Sequence, residues 1–189
     1  MKKAELRKKY LTKRSELEKT QVQLWSKQIF ELLIKNFPLQ AGQNLHIFLS
    51  IDKFNEVQTK DFIEYCWSRE INVFVPKMVA GKLKSIQIFP ETVFTKNSWG
   101  ILEPDAPSQQ HLRFDYVITP LLYCDKFGNR VGYGKGYYDS FFSTINAEAL
   151  KIGVSFFLPE EMISDVNSLD VSLDYLVLTD KILSFRGLL

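Results

Sequence analysis

Between Asp115 and Phe142 the chain reads DYVITPLLYCDKFGNRVGYGKGYYDSFF. Gly132, Gly134 and Gly136 alternate with Tyr133 and Lys135, and Arg130 stands just upstream. Residues of these types at this spacing suit the binding of phosphate. Glycines lack a Cβ, so they reach positive φ and let a ligand approach the backbone. Successive amides in such a turn form a nest for an anion, and a helix N-terminus after it adds donors and partial positive charge. Arg130 offers a planar fork to phosphate oxygens, and Lys135 a flexible point charge. Asp139 follows just past the glycines.

The stretch matches neither of two familiar phosphate loops. A Walker loop needs GxxxxGK followed by Ser or Thr, and here Gly136 follows Lys135. In the dinucleotide pattern GxGxxG the third glycine comes one residue later than Gly136 does. Composition alone would also suit a glycine-rich hairpin with incidental cations.

Taken whole, PLLYCDKFGNRVGYGKGYYD resembles the signature of the 5-formyltetrahydrofolate cyclo-ligase family, also called methenyltetrahydrofolate synthetase. The residues that carry the resemblance are Pro120, Asp125, Gly128, Arg130, Gly132, Gly134, Gly136, Tyr137, Tyr138 and Asp139. It implies an ATP- and Mg²⁺-dependent enzyme that cyclises 5-formyltetrahydrofolate to 5,10-methenyltetrahydrofolate, releasing ADP and phosphate. On this resemblance Arg130 and Lys135 act at the transferred phosphate. ATP is bound by Arg130, Val131, Gly132, Tyr133, Gly134, Lys135, Gly136, Tyr137 and Tyr138. Tyr133 to Tyr137 also border the folate.

Other positions agree with the same family. Lys3 and Arg7 are four apart and share a face of any helix they lie on; the family places such a pair against the nucleotide phosphates, with Lys2 as the register alternative to Lys3. Glu56-Val57-Gln58-Thr59 matches a family motif whose acid contacts folate, and Leu49 matches an apolar strand end that touches substrate. Without the resemblance, Glu56 is a charge complementing a helix dipole. Trp99, followed by Gly100, Glu103 and Pro104, matches a segment lining the pterin side, although Trp99 also suits a core. The Mg²⁺ that the resemblance implies takes one or two carboxylates with phosphate oxygens and water; Asp139 is matched to one ligand, and for the second the family has His or Asn followed by Asp before the last strand. Here Leu169 precedes Asp170, the candidate, and Asp165 and Asp174 compete with it. Many members carry a Gln after the strand corresponding to Lys151–Phe157; this chain has none.

The elements that must position these residues follow from the hydrophobic pattern. Residues 2–19 are rich in Ala, Leu, Glu, Lys and Arg and predict a helix, mostly a solvated basic face. Val22, Trp25, Ile29, Leu32 and Leu33 recur at helical spacing up to Phe37-Pro38. Strands are expected at Leu45–Ile51, Ile71–Val75 (ended by Pro76), Leu83–Phe89, Tyr116–Leu122, Lys151–Phe157 and, as the last, Tyr175–Leu178. A helix begins near Thr59, another follows the glycines, and Pro159–Asp174 is irregular. Strands alternating with helices predict a three-layer α/β/α domain over residues 1–189, Rossmann-like, with a mostly parallel sheet. Ligands in such sheets bind at the carboxyl ends of the strands.

Composition sets bounds on the partners. With 24 Lys+Arg against 22 Asp+Glu the net charge is +2, which argues against a nucleic-acid or membrane partner. Small-molecule substrates and a monomer are expected. No secretory h-region follows the basic N-terminus, and no apolar run is long enough to cross a bilayer. The two cysteines, Cys66 and Cys124, form no CxxC, which suits a reducing cytoplasm. His46 has no second histidine at metal spacing. Related sheets also serve sugar-phosphate isomerases and CoA transferases, which would place a monophosphate in the same loop.

Overall fold

The computed structural model describes residues 1–97, 101–107 and 113–187. The elements run α1 (Lys3–Ser15), α2 (Lys19–Asn36), β1 (Asn44–Ile47), a 3₁₀ turn (Asp52–Phe54), α3 (Lys60–Ser68), β2 (Asn72–Val79), β3 (Lys82–Ile88), β4 (Phe94–Lys96) and β5 (Leu102–Pro104). They continue with β6 (Tyr116–Thr119), β7 (Tyr123–Cys124), β8 (Arg130–Val131), α4 (Tyr137–Phe142), β9 (Leu150–Val154), β10 (Tyr175–Val177) and β11 (Ile182–Ser184).

Seven strands form the central sheet in the order β11-β10-β9-β6-β1-β2-β3. The five inner strands are parallel, and β3 and β11 close the edges antiparallel. Period-2 alternation sorts the side chains. Leu45, Ile47, Val73, Val75, Ile118, Ile152, Val154 and Val177 join Ile29, Phe30 and Leu33 of α2 and Phe62, Ile63 and Cys66 of α3 in the largest core. Phe74 and Val117 point the other way, to Phe141 and Phe142 of α4. Helices thus cover both faces, as the alternating pattern predicts. Helix α1 stands apart from these layers. Its Leu6 and Tyr10 pack on Leu122, Tyr123 and Val131 of the small β7–β8 hairpin, with the Tyr10 and Tyr123 rings stacked at 4.4 Å.

Several boundaries differ from the sequence expectation. Strands β1 and β9 end at Ile47 and Val154, short of Ile51 and Phe157, and the first helix stops at Ser15 rather than Lys19. Strand β2 runs through Pro76, paired with Ser85 of β3. Its other neighbour, β1, reaches only Asn72–Phe74, so on that flank a missing N–H breaks no ladder bond. The apolar run Tyr116–Leu122 leaves the sheet after Thr119, and its end feeds the hairpin. Tyr175–Val177 is not the last strand, because β11 pairs with it antiparallel.

The chain moves from β1 toward β2 on one side and from β6 toward β9 and β10 on the other. The strand order therefore reverses between β1 and β6, and the crevice at their carboxyl ends is where this architecture binds ligands.

Candidate active site

The glycine loop hangs off the β7–β8 hairpin, whose turn is built by Asp125. That carboxylate is fully buried and accepts from Phe127 N, Asn129 N and Asn129 Nδ2, each at 3.0 Å. Gly128 closes the turn at φ +82°, where a Cβ would meet Leu173 O at 2.9 Å. The hairpin delivers Arg130 and Val131 and then the glycines. Gly134 and Gly136 take positive φ, at +91° and +65°; Gly132 does not. Helix α4 spans only six residues, so an anion at this loop would depend on the loop amides and cations more than on a helix dipole.

Helix α1 supplies the cations from outside. Arg7 Nε donates to Gly132 O at 2.9 Å, and its guanidinium lies 3.0 Å from where a Cβ on Gly134 would stand. Lys3 pairs with Asp170, whereas Lys2 is exposed and uses its N–H on Glu5 at 2.8 Å. Of the two lysines, Lys3 is the one that reaches Asp170. Lys135 is exposed at the loop tip and makes no hydrogen bond or ion pair among the described residues.

Arg130 and Asp139 bind each other. Arg130 donates to Asp139 Oδ1 at 2.7 Å and to Val171 O, and lies over the Phe142 ring at 4.8 Å. Asp139 Oδ1 also accepts Val171 N at 3.1 Å. Partial burial works against the charged form of Asp170, but the Lys3 ammonium, the Asn167 N–H and the charge of Arg130 outweigh it and hold its carboxyl below the ordinary value. The two competing acids do other work. Asp165 Oδ1 accepts Lys3 N at 2.7 Å at the start of α1. Asp174 Oδ2 accepts Lys151 N at 2.8 Å near the amino end of β9, away from the carboxyl-end crevice.

Glu56 lines a narrow cleft with Arg14, Phe48, Pro120, Ser155 and Phe156, at the ends of β1, β6 and β9. It is buried, with Oε2 accepting Ile51 N at 2.8 Å and Oε1 accepting the Tyr133 hydroxyl at 2.5 Å. Burial pushes its carboxyl above the ordinary value. The Tyr133 hydroxyl, the Arg14 charge and the Ile51 amide oppose that shift without cancelling it. Asn55, in the left-handed region at φ 48°, aims the segment. Its Nδ2 donates to Arg14 O and Leu17 O, both at 2.9 Å, which satisfies carbonyls at the end of α1.

The remaining expected residues scatter. Leu49 packs half-buried on the main core. Val131 is buried under α1, Tyr137 is 40% exposed, and Tyr138 turns inward onto His46 with ring centroids 6.1 Å apart. Trp99 and Gly100 lie outside the described residues. Glu103 is tied to Met78 N and Asn97 Nδ2, each at 3.1 Å. Among the described residues no three His, Cys, Asp or Glu gather into a metal cage, and no helix is long and apolar enough to cross a membrane.

A family model for the 5-formyltetrahydrofolate cyclo-ligase family matches residues 1–179. The chain belongs to that family. Cyclo-ligase membership makes it a ligase of folate metabolism. A probable 5-formyltetrahydrofolate cyclo-ligase of Caenorhabditis elegans is 28% identical over 193 residues, covering 93% of this chain and 91% of the relative. The probable cyclo-ligase of Schizosaccharomyces pombe is 29% identical over 160 residues, covering 75% and 77%. In fold, the chain superimposes on a 5,10-methenyltetrahydrofolate synthetase of Aquifex aeolicus with a TM-score of 0.83 at 24% identity, over 99% of this chain and 94% of the other.

Sequence reasoning missed Arg14. It lies on the Arg7 face of α1, it is 4% exposed, and its NH2 donates to the Tyr133 hydroxyl at 2.5 Å. The spacing Lys3, Arg7, Tyr10, Arg14 keeps one helical face, but it does not mark Arg14 as buried or name its partner.

Proposed function

We propose that the chain converts 5-formyltetrahydrofolate to 5,10-methenyltetrahydrofolate at the expense of ATP. The formamide carbonyl is a weak electrophile because the N5 lone pair delocalises into it, and its oxygen leaves poorly. Attack of that oxygen on the γ-phosphorus forms a P–O bond, breaks the bond to ADP and solves both problems. N10 then adds to the activated carbon and loses its proton, and the N5 lone pair expels phosphate to leave the methenyl bridge. The protein's task is to hold the γ-phosphate beside the formyl oxygen and to neutralise charge.

The observation that carries this reading is the position of Tyr133. It belongs to a glycine loop flanked by Arg7 and Lys135, and its hydroxyl touches Glu56 in the adjoining cleft. A phosphate site and a cleft with a buried carboxylate therefore share one residue. Lys135, Arg7 and Lys3 would meet the phosphates, with the loop amides from Gly132 to Gly136. Arg130, held by Asp139, would back the loop. Glu56 would accept from N–H groups of the pterin, with Leu49, Tyr133, Tyr137 and Trp99 bordering the folate.

Asp139 and Asp170 would hold Mg²⁺. The donor set suits that ion, which takes one or two carboxylates and completes its shell with phosphate oxygens and water. Among the described residues each carboxylate is hydrogen-bonded through one oxygen, Asp139 through Oδ1 and Asp170 through Oδ2. When bound, the ion would neutralise charge on the phosphates. A reducing cytoplasm agrees with two buried, unpaired cysteines.

The test is near-ultraviolet absorbance of the methenyl product after mixing the chain with 5-formyltetrahydrofolate and Mg²⁺, with and without ATP. Growth of the band only with ATP is the expected result. ATP binding without any band would reassign the loop to another substrate.

A further inference from the structure

Tyr133 belongs to the phosphate loop by sequence and to the cleft by contact. Its ring is 38% exposed at the rim, while its hydroxyl reaches inward, accepting from Arg14 NH2 and donating to Glu56 Oε1, each at 2.5 Å. Arg14 and Glu56 themselves stand 4.0 Å apart, so the hydroxyl bridges their charges. Arg14 NH1 also donates to Leu121 O at 3.3 Å, just past β6. Its Nε is buried without a hydrogen-bond partner among the described residues, so the guanidinium is held at its two ends only. Three separate elements (the last turn of α1, the glycine loop and the segment after β1) thus meet at one phenolic oxygen.

This arrangement has a mechanical consequence. Gly132 and Gly134 flank Tyr133, so the loop backbone is free to pivot there unless something holds it. Arg7 holds one side through Gly132 O. Phosphates on the loop amides would hold the rest, fixing the Tyr133 hydroxyl and, through it, Glu56 Oε1. Ile51 N already fixes Oε2. A ligand donor addressing Glu56 then meets an aimed carboxylate. Conversely, a ligand holding Glu56 fixes the loop for phosphates.

We propose that Arg14 and Tyr133 are positioning residues that couple the two halves of the site, so that nucleotide on the glycine loop tightens folate binding at Glu56 and folate tightens nucleotide. This rests on the assignment above of the loop to ATP and the cleft to folate.

Calorimetric titration of the full chain tests it, with 5-formyltetrahydrofolate and a non-hydrolysable ATP analogue plus Mg²⁺, each alone and in the presence of the other. In the parent chain each ligand is expected to tighten the other by the same factor, about tenfold. Tyr133→Phe keeps the ring against Phe54, 5.5 Å away, and loses only the hydroxyl. Each ligand alone should bind more weakly than to the parent, and the coupling factor should fall to near one. Arg14→Lys should reduce it too, because an ammonium cannot reproduce the guanidinium fork. A parent factor of one overturns the coupling, as does a Tyr133→Phe chain that weakens both ligands but keeps the parent factor. A parent chain that binds the analogue but not 5-formyltetrahydrofolate overturns the folate assignment and this inference together.

Discussion

Arg7 and Arg14 meet the glycine loop from one face of α1. Arg7 takes the Gly132 carbonyl at 2.9 Å, and Arg14, about two turns on, takes the Tyr133 hydroxyl at 2.5 Å. The basic helix α1 therefore packs along the glycine loop and walls one side of the candidate site. Its buried Leu6 and Tyr10, which sit on the hairpin that carries the loop, fix the distance between the two arginines and their targets.

Arg7→Ala removes a cation and a hydrogen bond from the loop but leaves the buried face of α1 intact. Nucleotide affinity should fall about 10- to 100-fold, the range expected for a charge-assisted hydrogen bond of about 1.5–3 kcal/mol. The urea midpoint should move little. Lys135→Ala should act in the same direction with no stability change, since its side chain is exposed. Unchanged KM for ATP in both variants would remove α1 and the loop tip from the nucleotide site.

Asp139→Asn separates two roles of one carboxylate. Arg130 has a side chain only 7% exposed, and it loses its ionic partner. A stability loss of about 1.5–3 kcal/mol is expected in urea titration. If Asp139 also holds Mg²⁺, turnover should need several-fold more Mg²⁺ at a temperature where the variant is fully folded. A destabilised variant with the parent's Mg²⁺ dependence would leave Asp139 as the anchor of Arg130 alone.

The parallel sheet was legible because its strands are short apolar runs separated by helical periodicity, and two-sided burial leaves little else for such runs to do. The glycine loop was legible as a turn, because Gly132, Gly134 and Gly136 at alternate positions punctuate any regular element there. The hairpin beneath it was not: β7 and β8 have two residues each, too few for any period to show. Strand β11 escaped for the same reason, with three residues and only partial burial. Arg14 was hidden differently. In a helix crowded with lysines it reads as one more solvated charge, and the acid that allows its burial, Glu56, belongs to a distant segment. Pairing of charges across the fold leaves no mark in local sequence.

Asp125 tests the hairpin as a platform. Replacing it with Ala removes the charged acceptor of the Phe127 and Asn129 amides, and a hydrogen bond to a charged group contributes about 1.5–3 kcal/mol. Asp125→Ala should therefore lower the urea midpoint more than any loop substitution. Activity per folded molecule should drop as well, because the glycines hang from this turn. An unaltered midpoint would mean that the turn is held by Gly128 and the β7–β8 ladder without the carboxylate.

His46 sets a pH limit on stability. It is completely buried among Phe114, Tyr138 and Phe141, and Nδ1 lies 2.8 Å from Ser85 Oγ. Burial lowers its pKa from 6.5 to about 3. The folded value lies below the unfolded one, so the unfolded chain takes up a proton that the folded chain refuses. The stability this contributes is present above pH 6.5 and is lost as pH falls toward 3. Glu56 acts with the opposite sign: burial raises its pKa from 4.5, so its contribution is present below that value and declines as pH rises through the folded one. His46→Gln isolates the first effect. Between pH 6.5 and pH 5 the parent should lose about 1.6 kcal/mol more than the variant in urea titrations, the integrated uptake of one proton by the unfolded chain. Parallel pH profiles for parent and variant would show that His46 is protonated in the fold and that its site admits a charge.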